Sequence, residues 1–197
     1  LRPRPGPDLT SWRQLVETEF CTFFGGRGNE MAWDIDVDAA SRMAIFMLTS
    51  SSDLPLANEM QFLIKGPYDH YLAQLDCDGN TLLSGTYFGS WNNELSYTNY
   101  FPSGNVSNYQ RYLYRIHRAR SGDLVLSTHA DNADFPITPG TVQTTFKHIA
   151  LYPLNGYSND VLMRFSPAGK LIASTFLEGP TFANIVDFAT GPDGDVY

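Results

Sequence analysis

Three segments of the chain share one signature: TFFGG at 22–26, TYFGS at 86–90 and TFLEG at 175–179. The likeness extends around it. HYLAQLDCDGNTLLSG (70–85) matches DVLMRFSPAGKLIAS (160–174), and LTSSSDLPLANEMQF (48–62) matches LSTHADNADFPITPGTVQTTF (126–146). DAASRMAIF (38–46) aligns with RARSGDLVL (118–126), which sets Asp38 against Arg118, and GPDGDVY (191–197) has that shape once more. A chain with such repeats folds as copies of one unit that bury their faces against each other. Thr22 to Thr86 spans 64 residues and Thr86 to Thr175 spans 89, so the second unit is about 25 residues longer. The offsets from Asp53 to Asp134 and from Gly79 to Gly169 place the surplus in loops at 90–110 and 141–158.

Each unit reads as four strands. In the first they are expected at 33–38, 43–49, 69–76 and 81–88, and in the second at 111–118, 123–129, 160–166 and 170–177. Asp78-Gly79-Asn80 and Pro167-Ala168-Gly169 are the turns that join the last two strands of each, with Gly supplying positive φ. Aromatics at 14%, with 16 Gly and 12 Pro, fit short pleated segments between tight turns. Val161, Met163 and Phe165 alternate with Leu162 and Arg164, and apolar groups on both faces imply a sheet covered on both sides. Four-stranded units stacked around an axis satisfy this, which predicts an all-β, β-propeller-type fold. A β-sandwich explains the strand number but not the repeat. One short helix is expected, from Thr10 or Ser11 to Thr18.

The expected organisation is a Pro-rich arm at 1–18, a strand within 19–26 that closes a last blade, blade 1 at 27–90, blade 2 at 91–178 and the start of blade 3 at 179–197. Closed propellers need about four to eight blades, so the expectation is a piece of a larger, incomplete propeller: two full blades plus parts of two others. Its remaining blades are then partners in a longer chain.

DFPITPGTVQ (134–143), NDVLMRFSPAG (159–169) and the recurring Thr-aromatic-x-Gly signature resemble the SBBP repeat, a family of β-propeller repeats in large bacterial exported or surface proteins. The resemblance covers roughly 20–197. In the first unit Pro55 is not followed by Thr-Pro-Gly, and the turn Ala40-Ser41-Arg42 lacks Gly. The resemblance implies an extracellular or cell-surface location and a scaffold or adhesive role, and it carries over no catalytic residues.

Chemistry-bearing residues are sparse. Asp34, Asp36 and Asp38 alternate on the first unit's inner strand, and the matching strand of the next unit holds Arg111, Arg115, Arg118 and Arg120. The acidic row beside the basic one predicts ion pairing across the units, with anion binding by the Arg cluster as the alternative and metal binding third. Asp76–Asn80 lacks the downstream Glu of a Ca²⁺ loop and reads as a hairpin turn, as does Asp193-Gly194-Asp195. His70, His117, His129 and His148 form no metal or hydrolase motif, and His129 reads as a polar strand end. Cys21 and Cys77 have no metal-ligand spacing and read as small buried hydrophobes, with a disulfide as the alternative in a secreted chain.

The 90–110 insertion is the best ligand-site candidate. Trp91, Asn93, Tyr97, Asn99, Tyr100 and Phe101 mix aromatic platforms with amides, as glycan or protein recognition requires. Asn105-Val106-Ser107 is a glycosylation sequon by pattern. A formal charge of −8 argues against nucleic acid, and no apolar run approaches the roughly 20 residues that span a bilayer, so membrane insertion is not expected. The expected function is a non-catalytic scaffold or binding module without cofactor, engaging a protein or glycan at a bacterial surface. The alternatives are a structural subunit of a surface filament or secretion-associated complex, and a propeller-fold enzyme acting on polysaccharide.

Overall fold

The computed structural model describes residues 21–91, 114–147, 150–151, 156–157, 159–179, 185, 187–192 and 194–197. All regular structure among them is β: β1 (Glu30–Val37), β2 (Met43–Thr49), β3 (Asp69–Leu75), β4 (Leu82–Phe88), β5 (Arg115–Arg118), β6 (Leu124–Ala130), β7 (Ala150–Leu151), β8 (Gly156–Tyr157), β9 (Asn159–Phe165) and β10 (Leu171–Phe176). The expected arm at 1–18, the helix at 10–18, Asn105–Ser107 and His148 lie outside the described residues. Cys21–Phe24, within the expected closing strand, pair with no strand among the described residues.

The described residues form two four-stranded antiparallel sheets. The first runs β1-β2-β3-β4 and the second β5-β6-β9-β10, so each is a simple meander; neither closes on itself. The insertion at 141–158 contributes the separate β7–β8 pair. Alternation decides which side chains meet. Ala44, Phe46, Leu72 and Phe88 leave one face of the first sheet and pack against Ile116, Leu124, Leu126, Val161, Met163 and Phe165 of the second. The opposite face of the first sheet presents Met47, Tyr71, Ala73 and Tyr87, which the 50–64 loop covers with Leu54 and Ile64. Burial of both faces explains why every residue of β3 is buried.

The β2–β3 and β6–β9 loops return along the outer strand of their own sheet. Ala57 exchanges two backbone hydrogen bonds with Gly85, and the Tyr87 amide donates to the Gln61 carbonyl. In the second unit the Thr138 amide donates to the Ser174 carbonyl, and the Phe176 amide to the Gln143 carbonyl. Outer edges that would otherwise be open are thus paired by the chain itself.

Backbone geometry corrects the sequence alignment of the inner hairpins by one residue. Ile35 pairs with Ile45 where Ile116 pairs with Leu126. The β1–β2 turn is closed by Asp38 N–H to Arg42 C=O, and the β5–β6 turn by Ala119 N–H to Asp123 C=O. Asp38 therefore corresponds to Ala119, not to Arg118. Ser41 (φ 60°) takes the place of Gly122 (φ 86°), and Gly194 (φ 87°) recurs in a third hairpin closed by Gly191 N–H to Asp195 C=O. Asn58 (φ 52°) likewise stands where the second unit has Gly140 (φ 80°). The first unit departs from the Gly-containing pattern, yet its backbone keeps both left-handed turns.

A left-handed residue with a Cβ is strained, and Asn tolerates that conformation better than Ser. Ser41→Gly is therefore expected to raise stability by about 0.5–1 kcal/mol, measured by urea denaturation. Gly122→Ser should lower it by a similar amount, because a Cβ at Gly122 also comes within 3.2 Å of Pro167.

Candidate functional site

β1 and β5, the innermost strands, lie side by side, and their polar groups define the seam between the sheets. The amides of Ile116 and Arg118 point away from β6, and carboxylates of the first unit accept from them: Asp34 Oδ2 at 3.1 Å and Asp36 Oδ2 at 3.2 Å. The free edge of β5 is thereby satisfied by side chains rather than by a strand. Arg118 Nε also donates to Asp36 Oδ1 at 3.2 Å, and Nη1 donates to the Gly122 carbonyl at 3.1 Å. One ion pair therefore joins the two strands, Arg118 with Asp36.

Asp38 does not take part in it. Its position past the end of β1 makes it a turn cap: Oδ1 accepts from the Ala40 and Arg42 amides, both at 2.9 Å, and Oδ2 pairs with the Arg42 guanidinium at 2.7 Å. Burial pushes this carboxyl up, but the hydrogen bonds from Arg42 and Ala40 outweigh it and hold the group below its ordinary value. Of the expected basic cluster, Arg115 is half-buried on β5, Arg120 is exposed in the β5–β6 turn, and Arg111 lies outside the described residues. The turns at 38–42 and 119–122 enclose a groove of about 470 Å³ lined by Asp36, Asp38, Arg42, Arg118, Arg120 and small neighbours.

A second polar group spans the sheets, and the sequence did not single it out. His70 on β3 and His129 on β6 are both fully buried, their ring centroids 6.0 Å apart. Thr128 Oγ1 lies 2.7 Å from His70 Nε2, and the Tyr114 hydroxyl 2.7 Å from His129 Nδ1. Phe46, Phe88, Tyr114 and Phe135 surround His70 with centroids at 5.3–6.5 Å. Burial disfavours the imidazolium, so His70 titrates well below its ordinary value and His129 is pushed down to about 3. His129 stands at the end of β6, as expected, but it is buried there, with Asp131 Oδ1 3.7 Å from its Nε2. The one signal for His70 was its even spacing with Leu72 and Gln74 along the row of β3 that faces the second sheet.

Of the expected loop site, Trp91 is 69% exposed, and its amide donates to Asp134 Oδ2 at 3.1 Å. Asn93, Tyr97, Asn99, Tyr100 and Phe101 lie outside the described residues. Both cysteines are free and exposed rather than buried or bridged. Cys77 sits in the β3–β4 turn, where the charge of Asp78 raises its thiol. That turn is a hairpin, as expected, with Asp76 Oδ1 accepting from the Asn80 and Thr81 amides. Among the described residues no cluster of His, Cys, Asp and Glu has metal-binding geometry.

No family model matches the chain and no curated protein matches it, so the likeness to the SBBP repeat rests on the residues quoted for it.

Proposed function

We propose that this chain is a non-catalytic scaffold or binding module of propeller type, exported by a bacterium to its surface or surroundings, where it engages a protein or glycan. The observation that carries this reading is the recurrence of one packing relation. The second unit meets the first through its inner strand, β5 against β1. The third hairpin meets the second unit in the corresponding way: the His117 ring packs edge-on against Phe188 at 5.0 Å, with Asp187 3.8 Å away. Units that repeat one contact with their predecessor stack in series, as propeller blades and other repeat scaffolds do. The SBBP-like residues supply the surface location, and further units of the same kind are the chain's nearest partners on this reading.

The test is a glycan and surface-protein binding screen of the intact chain, with a parallel assay for new reducing ends on the same polysaccharides. Saturable capture without turnover is expected. Release of reducing ends from a captured polysaccharide overturns the proposal in favour of the polysaccharide-active enzyme.

A further inference from the structure

We propose that the groove between the β1–β2 and β5–β6 turns binds an oxyanion, the carboxylate, sulfate or phosphate group of a small ligand. The inference stands apart from the scaffold reading, since it needs only the two turns and the seam they flank. The groove's volume of about 470 Å³ suits a small molecule. Three arginines and two aspartates line it, an excess of one positive charge on a chain whose net charge is −8. Neither aspartate offers a free carboxylate. Asp36 is held by the Arg118 amide and guanidinium, and Asp38 by Arg42 and the turn amides.

Arg118 is the second, independent pointer. Its side chain is 10% exposed, and Nη2 has no partner. Nε and Nη1 are fixed on Asp36 and Gly122, so the guanidinium is oriented before any ligand arrives. A buried guanidinium nitrogen without an acceptor is costly. Arg120, exposed on the rim, offers a second guanidinium fork from the solvent side. Val37, Ala39 and Ala119 give the rest of the lining a small apolar character, which favours an acid group borne on a compact body such as a sugar ring.

The experiment is thermal unfolding of the intact chain titrated with glucuronate, sulfate or phosphate, against chloride at matched ionic strength. A saturable rise in Tm with an affinity in the millimolar range or tighter is expected for at least one oxyanion. Arg120→Ala leaves the seam untouched and should weaken that affinity at least fivefold. Arg118→Lys keeps the charge but not the fork and should weaken it further; if this variant fails to fold, Arg120→Ala decides. A response to glucuronate alone assigns a carboxylate ligand, and an equal response to sulfate and phosphate assigns a tetrahedral oxyanion. A response no larger than that to chloride, or one unchanged in Arg120→Ala, overturns the proposal.

Discussion

Ile116→Ala is expected to lower the unfolding free energy by about 2–4 kcal/mol, and Ile35→Ala by less than about 1 kcal/mol. The two residues hold corresponding places in the two inner strands, each opposite an apolar partner on the neighbouring strand, Ile45 or Leu126. Intrinsic strand preference is therefore the same at both. Their surroundings differ: Ile116 is 2% exposed under the first sheet, whereas Ile35 is 55% exposed. Truncation at Ile116 leaves a cavity between the sheets, while truncation at Ile35 removes surface that water already touches. Urea denaturation of both variants measures the contribution of the seam directly. Equal losses at the two positions would mean that the sheets do not pack in solution as described.

Acidification from pH 6 to pH 4.5 is expected to cost the fold about 2 kcal/mol, and three buried groups set that figure. The unfolded chain protonates His70 and His129 as the pH falls through about 6.5, but the native chain keeps both neutral to far lower pH. Stability present above pH 6.5 is lost below it, with two protons favouring the unfolded state. Asp160 acts in the opposite sense. Burial pushes its carboxyl up to about 7, the Ile185 amide pulls it down, and the charge of Glu178 raises it again. Between about pH 4 and 7 the native chain holds a proton on Asp160 that the unfolded chain has released.

The balance is one proton taken up on unfolding, or about 1.4 kcal/mol per pH unit. Above pH 6.5 the histidine and Asp160 contributions fade together and nearly cancel, so the profile levels off towards pH 7. His70→Phe, which keeps a ring within the aromatic surround, should flatten the profile between pH 4.5 and 6. Asp160→Asn should steepen it to about 2.7 kcal/mol per unit. Denaturation midpoints across this range check both, and a His70→Phe profile as steep as the parent's would exclude His70 as a source of the acid sensitivity.

Much of the strand map was legible because turn chemistry and alternation speak locally. The strands expected at 43–49 and 81–88 are β2 and, within one residue, β4. Gly79 and Gly169 mark the β3–β4 and β9–β10 hairpins through positive φ, a property of single residues. The inner hairpin was harder. Aligning Ser41 with Ser121 matches side chains, but the backbone matches Ser41 with Gly122 because both are left-handed. That slip of one residue set Asp38 against Arg118, whereas the ion pair uses Asp36, one pleat away. The seam histidines were illegible for a different reason: nothing local distinguishes an imidazole facing water from one facing a second sheet. Likewise Cys77 was expected inside on residue type alone, while the turn that holds it projects into solvent.

The returning loops at 57–61 and 138–143 bear on how copies of this protein behave when crowded. An exposed outer strand is the usual template on which β-rich chains add to one another and grow fibrils. Here the amides of Gly85, Tyr87 and Phe176 are already bonded to the chain's own loops. Strand-by-strand growth from those edges would first require a loop to peel away, with loss of the Leu54 or Phe135 packing it anchors. Protection of these two edges against strand addition therefore resides in two irregular segments rather than in the sheets they border.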